Sequence, residues 1–141
     1  MKKFDPSLYF ITDSTNYTEE EFLYRVEQAL QGGARLDHTL GNVSILLYLD
    51  SLGKKGCIID DYSEMKIVSI EPAYIEDSYS FFSLLNISGT AKGITIENAK
   101  YPLENGEITC EYQYGISNEV LCGEMAKVSV DKGRALLIKV K

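Results

Sequence analysis

Ala126-Lys127-Val128-Ser129-Val130-Asp131-Lys132-Gly133-Arg134-Ala135-Leu136-Leu137-Ile138-Lys139-Val140 is the stretch that decides the fold class. In Lys127-Val128-Ser129-Val130 polar and apolar side chains alternate, the repeat that sends them to opposite faces of a pleated strand. Asp131-Lys132-Gly133 interrupts with turn-forming residues. Ala135 to Val140 then resumes a β-rich run in which Lys139 stands between Ile138 and Val140.

The same pattern extends back along the chain. Short runs recur between turn signals at Cys57 to Asp60, Met65 to Ile70, Ala73 to Ile75, Tyr79 to Ile87, Ile94 to Glu97 and Glu107 to Tyr112. Asp61-Tyr62-Ser63 is a polar break between the first two, and Glu104-Asn105-Gly106 carries an Asn-Gly hairpin signal. Many short strands so spaced predict an antiparallel sandwich or barrel at about residues 54 to 141. Ahead of it the period changes. From about Asp37 to Leu52, Leu40, Val43, Leu46, Leu47 and Leu49 make a broad apolar helical face, and Gly53 ends it. Leu8 to Thr12 reads as a buried strand. Thr18 and Glu21 form a capping box for a further helix, apolar at Phe22, Leu23, Val26, Ala29 and Leu30, that stops at Gly32-Gly33. The expectation is an α+β chain, with one strand and two helices preceding a C-terminal antiparallel β-domain.

Composition narrows the function classes. The chain has 141 residues, of which 45% are apolar, enough for a folded core of one-domain size. A net charge of −7 disfavours broad contact with nucleic acid or anionic lipid. No apolar run approaches the roughly 20 residues that span a bilayer. Asp5 follows Met1-Lys2-Lys3 at once, so no secretory leader is expected and cytoplasmic residence is. Cys57, Cys110 and Cys122 are odd in number, widely spaced and accompanied by a single histidine, which suits reduced thiols and not a metal centre.

Two strings carry chemistry. Arg35-Leu36-Asp37-His38-Thr39-Leu40-Gly41-Asn42-Val43 gathers Arg35, Asp37 and His38 at a helix start. Asp, His and Thr there are ordinary capping residues. The same set also suits polyphosphate: an arginine fork for phosphate oxygens, a carboxylate for a hard cation and a helix N-terminus for anions. His38 has no carboxylate or serine relay in sequence, so a cap or a substrate hydrogen bond suits it better than general-base work. In Gly115-Ile116-Ser117-Asn118-Glu119, a turn signal by itself, Ser117 and Asn118 offer a hydroxyl and an amide to the edge of a heteroaromatic ring.

With Gly32-Gly33 just upstream, RLDHTLGNV resembles the Gly-Gly-Arg-x-Asp-His-Thr segment of thiamine pyrophosphokinases. SFFSLLNI, KGITIENAKYPLENGEI, YGISNEV and AKVSVDKGRALLIKV are similar, in order, to the thiamine-binding sandwich of that family. The resemblance implies a jelly-roll-like β-sandwich at residues 54–141, joined by a linking helix at 35–53. It implies transfer of pyrophosphate from ATP to thiamine with Mg2+, and a homodimer with thiamine between subunits. Arg35 would contact polyphosphate, Asp37 would hold the metal, and Ser117, Asn118 and His38 would serve thiamine. The family's N-terminal Gly-Asp-x-Asp-Ser and Asp-x-Thr-Asp motifs are missing. In their place SLYFITDSTNYTEEEFLYRVEQALQGGA, in residues 1–34, resembles the opening of thiamine phosphate synthase, a (β/α)8 barrel, and the likeness stops at Ala34. The expectation is therefore a kinase-like chain, truncated or fused, that retains thiamine binding; a non-catalytic thiamine-binding or structural module is the alternative.

Overall fold

The computed structural model describes residues 8–11 and 36–141, in two units, the first ending at Asp61 and the second running from Tyr62 to Lys141. In the first unit, strand β1 (Leu8–Ile11) pairs antiparallel with strand β2 (Cys57–Asp60), Leu8 opposite Asp60 and Ile11 opposite Cys57. Helix α1 (Leu36–Ser51) lies between them in sequence. Its end is a glycine-capped motif: Gly53, at φ 69°, donates to the Asp50 carbonyl, and the Lys54 N–H reaches back to Leu49. Leu46 and Leu49 are buried, and Gly56 packs so closely on them that a Cβ there would sit 2.6 Å from Leu49 Cδ1. Leu40, expected on the same face, is 61% exposed, so the buried stripe is narrower than the sequence suggests. The second expected helix, at residues 18–31, falls outside the described residues.

The second unit contains β3 (Ser63–Val68), β4 (Ala73–Glu76), β5 (Phe81–Leu85), β6 (Thr90–Glu97), β7 (Leu103–Thr109), β8 (Gly115–Asn118), β9 (Met125–Ser129) and β10 (Ala135–Val140). They lie in the orders β3-β10-β5-β8 and β4-β9-β6-β7, with antiparallel neighbours. The inward side chains of both sheets, among them Ile75, Phe82, Leu84, Ile94, Ile108, Val128 and Leu137, form one buried cluster, and the architecture is a β-sandwich. The second compact unit begins at Tyr62, and β2 lies in the first. The nearly continuous apolar run of β10 is explained by its place between β3 and β5. Among the described residues no helix is long and apolar enough to cross a membrane.

Two bulges keep the alternation in phase with the interior. Lys92 faces Glu107 but Ile94 faces Gly106, so Gly93, at φ 65°, is an extra residue in β6. The buried positions accordingly jump from Ala91 to Ile94 and Ile96. Only glycine fits, because a Cβ at Gly93 would run into the Asp131 carboxylate. One step further Ile96 faces Leu103, and the compensating extra residue is on β7, where Asn105 takes φ 51°. Glu104-Asn105-Gly106 is therefore a bulge inside a strand and not the hairpin turn its sequence suggests. Asn tolerates the left-handed region in either setting, and pairing with β6 decides between them.

The inward face of β10 ends on a charge. Lys139 Nζ lies 2.7 Å from Glu64 Oε1, and their side chains are only 8% and 19% exposed. Tyr79 donates its hydroxyl to Glu64 at 3.0 Å, accepts from Lys139 at 3.2 Å, and places its ring under the ammonium, 4.4 Å from the centroid. Burial works against the Glu64 carboxylate, but the hydrogen bonds from Lys139 and Tyr79 and the charges of Lys139 and Lys66 outweigh it, holding its pKa below the ordinary 4.5. Burial likewise opposes the Lys139 ammonium, and its bonds to Glu64 and Tyr79 outweigh it, holding its pKa above 10.5.

The pair's contribution is therefore whole between those limits, drains as pH falls below about 4.5 through Glu64, and drains as pH rises above about 10.5 through Lys139. Glu64→Ala or Lys139→Ala should each cost about 3 kcal/mol in urea unfolding, because each strands a buried charge. The double variant Glu64→Leu with Lys139→Met should cost less than either and should flatten the acid limb. Leu137→Ala, which removes only apolar contacts, should cost about 3 kcal/mol at every pH between those limits.

Candidate functional site

Ser117 and Asn118 lie on β8, at the end of the order β3-β10-β5-β8. The local sequence reads as a turn, but the segment is a strand with a third bulge. Phe82 faces Asn118 and Leu84 faces Gly115, so Ile116 and Ser117 together oppose Ser83. Gly115 lets β8 approach: a Cβ there would stand 3.0 Å from Leu84 Cβ and 3.2 Å from its carbonyl oxygen. Ser117 takes φ 55°, an uncommon conformation for a residue other than Gly or Asn. Its N–H donates to Ser83 Oγ at 3.0 Å, and its side chain is exposed.

Asn118 points the other way and is 2% exposed. Its Oδ1 accepts from the Tyr101 N–H at 3.0 Å and from the Glu119 N–H at 2.9 Å, while its Nδ2 donates to the Tyr101 carbonyl at 2.8 Å. Both backbone groups of Tyr101 are thus gripped by one amide, which keeps one N–H uncommitted to these partners. Lys100 N–H to Glu119 and Leu121 N–H to Asn98 continue the contact between the two segments. On the surface above, Lys100 pairs with Glu119 at 2.7 Å, and that hydrogen bond and charge raise the lysine pKa. The Tyr101 ring is exposed, with the Lys100 ammonium 5.7 Å from its centroid.

Alternation along β5 sends Phe82 and Leu84 inward, and Phe81 and Ser83 outward. Phe81 is 44% exposed, and Ile116 is exposed too. The β5–β8 edge therefore offers a hydroxyl, a flat aromatic face and an aliphatic side chain, a combination suited to a small heteroaromatic ligand. Sequence reasoning missed Phe81, although adjacent phenylalanines in a strand must point to opposite faces, and only one can join the core. Tyr112 and Tyr114 instead pair with each other, edge to face at 5.3 Å, and a hydrogen bond between them raises the Tyr112 pKa.

Asp37 and His38 are the second and third residues of α1, in the first turn, as expected of a helix start. They belong to the first unit, and Ser117 and Asn118 belong to the second. Arg35 lies outside the described residues. Among the described residues no group of three or more His, Cys, Asp or Glu side chains converges as a metal-ion site would.

The fold defines a β-sandwich module with a bulged strand at the end of one sheet order. Residues 64–135, just over half of the chain, match the family described as thiamin pyrophosphokinase, vitamin B1 binding domain, and the chain belongs to that family. Among solved structures, the thiamine pyrophosphokinase of Bacillus subtilis is similar at 24% identity and TM-score 0.72, over 88% of this chain and 65% of that one. The enzyme of Geobacillus thermodenitrificans is similar at 23% and 0.66, over 92% and 64%. Yeast thiamin pyrophosphokinase is similar at 16% and 0.63, over 77% and 38%. At these identities the likeness is one of fold, and the chain spans less than two thirds of those proteins. No curated protein matches it. Nothing in these comparisons supports the resemblance of residues 1–34 to thiamine phosphate synthase, and β1 has an antiparallel partner where a barrel strand has parallel ones.

Asn118→Ala should lower stability by about 2–3 kcal/mol in denaturant unfolding, since it leaves both Tyr101 backbone groups without their partner. Ser117→Gly should raise it by about 0.5–1 kcal/mol by removing the left-handed strain.

Proposed function

We propose that this chain binds thiamine at the β5–β8 edge and serves as the thiamine-binding part of a thiamine pyrophosphokinase. The observation that carries the reading is Ser117, a strained and exposed serine in an edge-strand bulge, within the residues that match the vitamin B1 binding domain. Ser117 is the hydroxyl partner of the aminopyrimidine, Phe81 is a face for the flat cationic rings, and Asn118 contributes through its grip on Tyr101. The strand orders β3-β10-β5-β8 and β4-β9-β6-β7 support a jelly-roll-like classification of the sandwich.

The reaction proposed for the whole protein is ATP plus thiamine to AMP plus thiamine diphosphate. The thiamine hydroxyl oxygen bonds to the β-phosphorus of ATP and gives up its proton to solvent as the bridge to the α-phosphate breaks, and AMP leaves. That chemistry needs positioning and charge neutralisation above all. Arg35 is proposed for the polyphosphate, Asp37 for Mg2+ and His38 for a substrate hydrogen bond, in a cytoplasmic homodimer whose nucleotide site other residues complete. Calorimetric titration of thiamine, with and without Mg-ATP, followed by an assay for thiamine diphosphate, tests both halves. Binding with product supports the enzyme, binding without product leaves a thiamine-binding module, and absence of binding overturns the reading. Phe81→Ala should weaken thiamine binding about tenfold, the effect of losing a ring contact worth roughly 1–1.5 kcal/mol.

A further inference from the structure

We propose that Ser83 is a positioning residue of the thiamine-binding edge, holding Ser117 in the left-handed conformation that presents its hydroxyl. The proposal rests on the thiamine-binding reading above and assigns a role to a residue outside the GISN string. Three observations meet at this point. The β5–β8 register slips by one residue between Phe82 and Leu84, so Ser83 alone opposes Ile116 and Ser117. Ser117 has φ 55°, which an L side chain adopts only where its surroundings over-determine it. The Ser117 N–H, displaced from a regular ladder, is received by the Ser83 side-chain oxygen at 3.0 Å.

Asn118, the next residue, is fixed by three hydrogen bonds to Tyr101 and Glu119. Ser117 is thus anchored on its C-terminal side by a buried clamp and at its own nitrogen by Ser83. The clamp sets where β8 ends, and the Ser83 hydroxyl sets how Ser117 is turned. A bulge stabilised by a side chain has the effect of aiming one residue off the strand's alternation, and Ser117 is the residue so aimed. Alanine at position 83 would leave the fold but remove the acceptor, and Ser117 would relax toward ordinary backbone angles with its hydroxyl displaced.

The test compares wild type, Ser83→Ala and Ser83→Thr by thiamine titration, thermal unfolding and the NMR coupling constant of the Ser117 amide, which depends on φ, in ligand-free protein. The expected result is a roughly tenfold weaker thiamine affinity in Ser83→Ala, with a changed Ser117 coupling and little shift of the unfolding midpoint. Ser83→Thr, which keeps the hydroxyl, should restore affinity and coupling. Wild-type affinity in Ser83→Ala overturns the positioning role and leaves the thiamine reading intact. Loss of affinity in proportion to loss of stability, or weakened affinity with an unchanged Ser117 coupling, also overturns it. No thiamine binding by wild type overturns both.

Discussion

Each strand of the sandwich must deliver its apolar side chains to a single shared interior, and period-two alternation is the only means it has. Every insertion of one residue reverses that delivery, so the insertions are placed where they can be absorbed. Gly93 in β6 and Asn105 in β7 offset each other across one strand pair and bring Ile94, Ile96 and Ile108 to the same cluster. The bulge at Ile116–Ser117 comes at the end of the order β3-β10-β5-β8, where no further strand must stay in register beyond it. The freedom to aim a side chain off the alternation is greatest there, and Ser117, at φ 55°, is the residue that takes it.

Polar groups enter the interior only with their partners. Asn118, Asn86 and Lys139 are the buried polar side chains among the described residues, and no buried side-chain polar atom there lacks a hydrogen bond. The Asn86 side chain accepts from Ser88 N–H and donates to the Ile108 carbonyl, while its backbone N–H donates to Gln113 Oε1 and its carbonyl accepts from Gln113 Nε2, tying the 108–113 segment to the end of β5. Asn118 does the same for the Tyr101 segment. In each case an amide replaces missing ladder bonds where a strand ends, at the net gain of a made hydrogen bond and against the larger cost of an unmade one. Lys139 with Glu64 and Tyr79 differs, because a hydrophobic substitute of the same volume would serve the core about as well.

Membership of the vitamin B1 binding family concerns residues 64–135, which lie in the sandwich. Asp37 and His38 begin α1 in the first unit, and Ser117 and Asn118 lie in the second. A site that recognises a small ring by stacking and by a hydroxyl needs rigid edges. A site that neutralises phosphate needs convergent charge.

The sequence by itself determined the β-domain, its strands at 57–60 and 135–140, and a helix whose first turn holds Asp37 and His38, because alternation and helical spacing are local signals. It also contained Ser117 and Asn118, though as a turn. Only the tertiary structure decided that GISN is an edge strand, that Asn105-Gly106 is a bulge, that Phe81 faces out and that Ser83 holds Ser117. Each of these depends on which strand lies alongside, and pairing between residues tens of positions apart leaves no mark in either segment alone.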